Sequence, residues 1–364
     1  MGYASTDING FDFIHMYVGN AKHSAQVFAA LFGFKIVGYK GPETGCRDHV
    51  SYILNQNQLT FVVSAAIVPE HAMHNFVNKH GDGVHELSIR VKDPKEALDY
   101  AVAKGANTAR DFSVSEDENG RFSSASIDIY GDTIITFINR EEYKAFLPGY
   151  QAYEGPQFAR NDVGLTHIDH IVGNVGEGEM NKWAAFFEQT MDLETYVHFD
   201  KGDISTQYSS LVSKVVRSKN SAVKFPINEP AAGLKKSQIE EYLEVNYDAG
   251  VQHIAIATDN LIQAISAMES NGVTFIETPD TYYEVIGDRA AGIHEAVEDL
   301  KKLNILIDRD EEGYLLQLFT QPLGDRPTLF LEFIQREGCE GFGQNNFQSL
   351  FESIEREQAK RGNL

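Results

Sequence analysis

Three side chains in the C-terminal half combine residue types and surroundings that suit a metal ion. His170 lies in HIDHIVGN, His253 in GVQHIAIATD and Glu332 in TLFLEFIQR, each inside a short, otherwise apolar run that reads as a β-strand. A lone histidine in such a strand is ordinarily a core residue with one hydrogen bond, and His253 by itself would be read that way. Glu332 changes the balance. An unpaired carboxylate in an apolar strand costs several kcal/mol of desolvation, so either its sheet face is exposed or something positive meets it. An arginine such as Arg326 or Arg336 would serve. A divalent cation would serve too, and it also accounts for two histidines on other strands of the same half. Two imidazoles and one carboxylate cap one face of an octahedral ion and leave three positions open, the ligand set of non-haem Fe(II) oxygenases. Zinc with a catalytic water uses a similar set, so the donors alone do not choose the metal.

The elements that must carry these residues come from a diverged internal duplication. FIHMYVGN (Phe13 to Asn20) is echoed by HIDHIVGN (His167 to Asn174), GDGVHELSIRV by DAGVQHIAIAT, and ITFINR (Ile135 to Arg140) by LEFIQR (Leu331 to Arg336). Amphipathic stretches, AKHSAQVFAALFGF and MNKWAAFFEQTMDL, follow the first pair. DPKEALDYAVAKGANTARD and DNLIQAISAMESNGVTFIETP follow the second, each expected as a helix, a glycine stop and a strand. Each half therefore reads as two βαβββ units, an α+β fold with helices covering one side of the sheet. The Gly- and Pro-containing segment Phe146 to Gly164 is the expected linker, which sets domains at 1–150 and 151–364. Aligned by these motifs, His170 falls opposite Met16 or, with a one-residue shift, His15. His253 falls opposite Glu86 and Glu332 opposite Thr136. The N-terminal half cannot supply the same trio.

Composition narrows the partners. Of 364 residues, 31 are basic and 53 acidic, and the resulting charge of −22 repels nucleic acid and anionic membrane. Only Cys46 and Cys339 are present, with no CxxC spacing, so neither a disulfide framework nor a zinc-finger pattern is expected and a reducing, cytoplasmic setting fits. No apolar run approaches the roughly 20 residues of a membrane span.

Longer motifs carry a resemblance. IDHIVGN, YSSL, PINEPA, KKSQIEEYLEVNYDAGVQHIA, TPDTYY, GYLLQLFT, RPTLFLEFIQR and GFGQNNFQSLFESIEREQAKRGN occur in that order, preceded by YVGNA, ETGCRD, KHGDGV, YGDTIITFINR and FLPGY. Across nearly the whole chain these closely resemble the 4-hydroxyphenylpyruvate dioxygenases. The resemblance implies two tandem vicinal-oxygen-chelate domains, each a curved, half-open barrel-like sheet, with Fe(II) held in the second by His170, His253 and Glu332. It implies the conversion of 4-hydroxyphenylpyruvate and O2 to homogentisate and CO2, in a homodimer or homotetramer. It further implies that Ser213, Asn228, Gln238, Gln252 and Gln317 form the polar network around the substrate. Phe319 and Phe347 would stack on its ring, with Phe330 and Phe342 packed nearby. Strand alternation independently places Gln317 with Phe319 on one face of their strand and Phe330 with Glu332 on one face of the next, so that amides and aromatic rings gather beside the metal. The final helix, expected from Asn346 to Lys360, closes over the site in that family. Two rivals stand beside this reading. Hydroxymandelate synthase shares the ligands and the substrate, though Pro226, Asn228 and Phe347 are the residues expected of homogentisate formers. A metal-free binding protein of the same fold would not need the trio.

Overall fold

The computed structural model describes residues 3–199, 210–231, 233–284 and 286–362. The N-terminal half runs β1 (Ile8–Tyr17), α1 (Ala21–Phe32), β2 (Lys35–Lys40), β3 (His49–Gln56), β4 (Leu59–Ala66), α2 (Ala72–His80), β5 (Gly83–Val91), α3 (Pro94–Ala103), β6 (Thr108–Asp117), β7 (Gly120–Asp128) and β8 (Ile134–Asn139). A two-residue strand, β9 (Gln151–Ala152), lies in the linker and pairs with β2. The C-terminal half follows with β10 (Leu165–Asn174), α4 (Met180–Met191), β11 (Glu194–Phe199), β12 (Ser210–Arg217), β13 (Lys224–Ala231), α5 (Gln238–Asn246), β14 (Gly250–Thr258), α6 (Leu261–Asn271), α7 (Asp280–Glu284), α8 (Val297–Lys302), β15 (Leu306–Arg309), β16 (Tyr314–Phe319), β17 (Phe330–Glu337) and α9 (Phe347–Arg361).

The expected α+β architecture of βαβββ modules is present in both halves. The strand orders are β6-β7-β8-β5-β1-β4-β3-β2-β9 and β11-β12-β13-β10-β14-β17-β16-β15. In every module the first strand pairs in parallel with the last, as β1 with β4, β5 with β8, β10 with β13 and β14 with β17. The two modules of a half then join through antiparallel first strands, β1 to β5 and β10 to β14. This arrangement brings β10, β14 and β17 side by side at the middle of the second sheet. Helices cover the other face: α6, capped by Asn260 and stopped by the left-handed Gly272, buries Leu261, Ala264, Ile265 and Met268.

Two expectations need correction. The segment after Gly272 was expected as a strand but makes only an isolated bridge, Phe275 to Thr320. The helical excursion through α7 and α8 intervenes, and the edge pairing with β16 is made by β15 instead. The repeat alignment of the first strands also changes. Phe13 pairs with Ser88 where His170 pairs with Ala255, and Tyr17 pairs with Gly83 where Asn174 pairs with Gly250. The counterpart of His170 is therefore Phe13, neither Met16 nor His15. The shared VGN is misleading: in the second half Gly173 and Asn174 lie within β10, whereas in the first half β1 ends at Tyr17, before VGN begins. The pairings of Glu86 with Ile134 and Ser88 with Thr136 keep Glu86 opposite His253 and Thr136 opposite Glu332.

Candidate metal centre and its cavity

His170, His253 and Glu332 share one face of three adjacent strands. Ala255 on β14 pairs with His170 on one side and Glu332 on the other, and His253 lies two residues back along the same strand. Side chains at directly paired positions, and at i and i+2, point to the same side of a sheet, so the three donors converge over the small Ala255. His170 Nε2 lies 3.3 Å and His253 Nε2 3.2 Å from Glu332 Oε2. One ligand atom from each residue falls within 4.8 Å of the others, and all three residues are buried.

The tautomers are fixed from behind. His170 Nδ1 donates to Asp169 Oδ1 at 2.7 Å and His253 Nδ1 donates to Gln252 Oε1 at 3.0 Å. Both Nε2 lone pairs then face a carboxylate oxygen, an arrangement of acceptors that suits a cation. Glu332 is buried, and the two arginines that offered an alternative partner are engaged elsewhere. Arg336 grips Asp169 through Nε at 2.7 Å and Nη2 at 2.9 Å, and Arg326 donates to backbone carbonyls of α2. Burial pushes the Glu332 carboxyl up, but the adjacent imidazoles outweigh it and hold it at about 2. Burial likewise opposes the charged form of His170, yet Glu332 and Asp169 outweigh it and raise that imidazole above its ordinary value; His253, where burial prevails, is lowered. Positive charge is thereby favoured beside the carboxylate. A divalent ion supplies that charge. The residues present fit such an ion.

The trio forms the floor of a cavity lined, among the described residues, by Val172, Phe199, Leu211, Ser213, Val215, Pro226, Asn228, Gln238, Gln252, Phe319, Phe330 and Phe342. Ser213 and Asn228 face each other across β12 and β13, and Asn228 donates to Asn174 at 3.3 Å. Gln238 is the first residue of α5, whose entry is set by the Ser237–Glu240 capping box. Phe330 stacks on His253 with centroids 4.8 Å apart, Phe319 meets the same ring edge-on at 6.0 Å, and Phe342 packs edge-on against His170 at 5.2 Å. Gln317 does not line the cavity. Its side chain is buried under Gly343, and its carbonyl oxygen has no partner among the described residues. Phe347 opens α9, but its side chain lies outside the described residues.

Motif reading missed Asp169 and Arg336. Their counterparts in the other half are Asp12 and Arg140, which form the same ion pair. Correct register, FDF against IDH together with INR against IQR, carries that signal. It also passed over Phe199, Leu211 and Val215, which look like ordinary inward-facing strand residues. In the N-terminal half the place of the trio is filled by a hydrogen-bonded cluster: Glu86 accepts from Thr136 at 2.6 Å and Arg110 at 3.0 Å, while His15 lies 3.3 Å from Glu86 and 2.7 Å from Ser64.

Comparison with known proteins covers the chain almost end to end. A family model described as hydroxyphenylpyruvate dioxygenase, N-terminal, matches residues 4–148, and one for the glyoxalase/bleomycin resistance protein/dioxygenase superfamily matches residues 167–318. The 4-hydroxyphenylpyruvate dioxygenase of Yarrowia lipolytica is 44% identical over 98% of this chain and 93% of its own length. That of Dictyostelium discoideum is 42% identical over 98% of this chain and 100% of its own. Among solved structures, a mutant 4-hydroxymandelate synthase from Streptomyces coelicolor superposes with a TM-score of 0.86 at 29% identity, covering 97% of this chain and 99% of that one.

Proposed function

The chain belongs to the 4-hydroxyphenylpyruvate dioxygenase family, and from that membership we propose that His170, His253 and Glu332 hold one Fe(II) per chain as the centre of its reaction. That reaction takes 4-hydroxyphenylpyruvate and O2 to homogentisate and CO2, a step in tyrosine breakdown. The observation that carries the reading is the convergence of three buried donors at the floor of an apolar cavity edged with amides. Iron bound there supplies open positions at which a 2-oxo acid chelates and O2 is activated.

The protein's own part is placement. Asp169, anchored by Arg336, keeps His170 in the tautomer that offers Nε2, and Gln252 does the same for His253. We assign Ser213, Asn228, Gln238 and Gln252 to the polar end of the substrate, with Gln317 supporting the cavity from beneath Gly343. Phe319 and Phe347 are assigned to the substrate ring, with Phe330 and Phe342 packed around the ligands. Apolar walls from Val172, Leu211 and Val215 keep water from the reacting end. We further propose domains at 1–150 and 151–364, a homodimer or homotetramer, and a cytoplasmic location, the last supported by the scarcity of cysteine. Among the described residues no helix is long and apolar enough to cross a membrane.

The structural likeness to a mandelate synthase favours one alternative, hydroxylation of the substrate side chain. Pro226 beside Asn228 in the cavity wall, and relatives at 42–44% identity, favour the ring. Chromatography of the products formed by iron-loaded protein from 4-hydroxyphenylpyruvate decides between them. Homogentisate is expected; 4-hydroxymandelate as the main product, or no turnover, overturns the proposal.

A further inference from the structure

We propose that Cys46, Asp48 and His49 form a second metal site, of the kind that takes Zn(II), on the N-terminal half. The three residues straddle the start of β3, so the chain itself fixes them close together. Cys46 Sγ lies 3.1 Å from Asp48 Oδ1 and 3.3 Å from His49 Nδ1, and the Asp48 to His49 edge is 2.7 Å. The three donor atoms fall within 4.8 Å of one another. Ligand bonds of about 2.0–2.3 Å in a tetrahedral zinc site put neighbouring donors roughly 3.3–3.8 Å apart, close to the two sulfur edges; Sγ also lies 3.6 Å from His49 Nε2, beside the ring, so the imidazole must turn to aim its Nδ1 lone pair at the ion. The short edge is a hydrogen bond, and an ion that displaces its proton lets the two atoms relax apart.

The donor set is chemically distinct from the iron centre. Thiolate, imidazole and carboxylate together suit a borderline ion such as Zn(II), whereas the buried trio contains no sulfur. His71 acts as a positioning residue. Its Nδ1 accepts the Met73 N–H at 3.1 Å and caps α2, which leaves the proton on Nε2, 4.0 Å from the far oxygen of Asp48. Asp48 is exposed and Cys46 half-buried, so the fourth position opens to water. On binding, the Cys46 thiol proton passes to solvent and the His49 proton moves from Nδ1 to Nε2. One proton is released per ion.

The test uses Co(II) as the probe ion on full-length protein stripped of metal. Only a sulfur ligand produces a thiolate-to-cobalt charge-transfer band, so the buried trio is silent in that measurement. The other cysteine does not compete, because Cys339 is buried and its thiol is pushed up to about 12 by burial and by Asp310. Cobalt added beyond the equivalent taken up by the buried trio should develop the band, saturating at one further equivalent, and Zn(II) should bleach it. Cys46→Ser should abolish the band while homogentisate formation and the circular dichroism spectrum stay unchanged. His71→Asn should weaken cobalt binding roughly tenfold, as loss of an outer-shell partner does. Cys339→Ser and His170→Ala should retain the band. A wild-type protein without it, or a band that survives Cys46→Ser, overturns the proposal.

Discussion

Ala255 carries as much of the metal geometry as any ligand. It sits between His170 and Glu332 in the ladder, fully buried, and its single methyl lets the three donors close over it. Ala255→Val adds two methyl groups under the ion, with an overpacking cost of about 1–3 kcal/mol. Iron content measured after gel filtration should fall at least as far as it does in a ligand mutant, although every ligand is retained. His253→Ala should lose both iron and turnover. Glu86, the counterpart of His253, offers the contrast. It is buried against Arg110, Thr136 and His15, so Glu86→Ala should cost about 3 kcal/mol of stability and leave iron content unchanged. His85, the counterpart of Gln252, stacks on Tyr17 with centroids 4.2 Å apart and lies 2.8 Å from the Asp132 carbonyl. Burial lowers its imidazole from 6.5 to about 4, outweighing that hydrogen bond. Because the folded value is depressed, its contribution to stability is present above pH 6.5 and is lost as pH falls toward 4. His85→Gln should flatten that acid-side loss, by about 2 kcal/mol, in denaturant titrations across the same range.

At the scale of elements, polar contacts help to hold α9. Arg361 reaches Glu241 of α5 at 2.7 and 3.1 Å, Ser353 donates to the Glu277 carbonyl at 2.9 Å, and Glu355 and Gln358 are buried. A helix whose outer end is mostly charged suggests that removing residues 355–364 would spare folding and harm turnover. The ion pair with Glu241 adds a stability cost, since Glu241 is itself buried and stands one turn from Gln238 in the cavity wall. Deletion of 355–364 should therefore reduce turnover at least tenfold and also lower the melting temperature, and Arg361→Lys in the full-length chain should lower the melting temperature by less than the deletion does. A rate equal to the parent's would show that α9 does not close the site. The elements themselves were legible in the sequence because periodicity, the Asn260 cap and the Gly272 stop are local signals. The trio was legible because a carboxylate and two histidines are rare in apolar strands. Legibility ended where pairing is long-range: Asp169 and Arg336 are 167 residues apart, and the register of β1 depends on where that strand leaves the sheet. Phe199, Leu211 and Val215 carry no chemical signal that separates a cavity wall from a core.

At the scale of the whole molecule, the two sheets are not independent supports. Their largest apolar core is continuous across both halves, with Phe32 stacked on Phe333 at 6.0 Å and Phe11 edge-on to Phe225 at 5.5 Å. Polar contacts cross as well: His80 Nδ1 donates to the Asn246 carbonyl at 2.6 Å, and Lys79 bridges Asp132 and Asp248 at 2.9 and 2.8 Å. A further contact is at Gly131, which has φ near +60° and packs on the backbone of Ala249. A left-handed residue with a side chain costs about 1–2 kcal/mol. The greater obstacle is steric, since a Cβ on Gly131 would overlap the Ala249 carbonyl, and a backbone atom cannot move aside by changing rotamer. Ala249 immediately precedes β14, the strand that carries His253 and Ala255. Gly131→Ala should then act at a distance: the start of β14 shifts, and the donor that depends on its register leaves the position it shares with His170 and Glu332. The expected result is a single melting transition displaced downward by several degrees, accompanied by weakened iron binding, although the substitution lies in the half that lacks the metal. Unchanged iron affinity in a folded Gly131→Ala protein would show that β14 keeps its register without the N-terminal half.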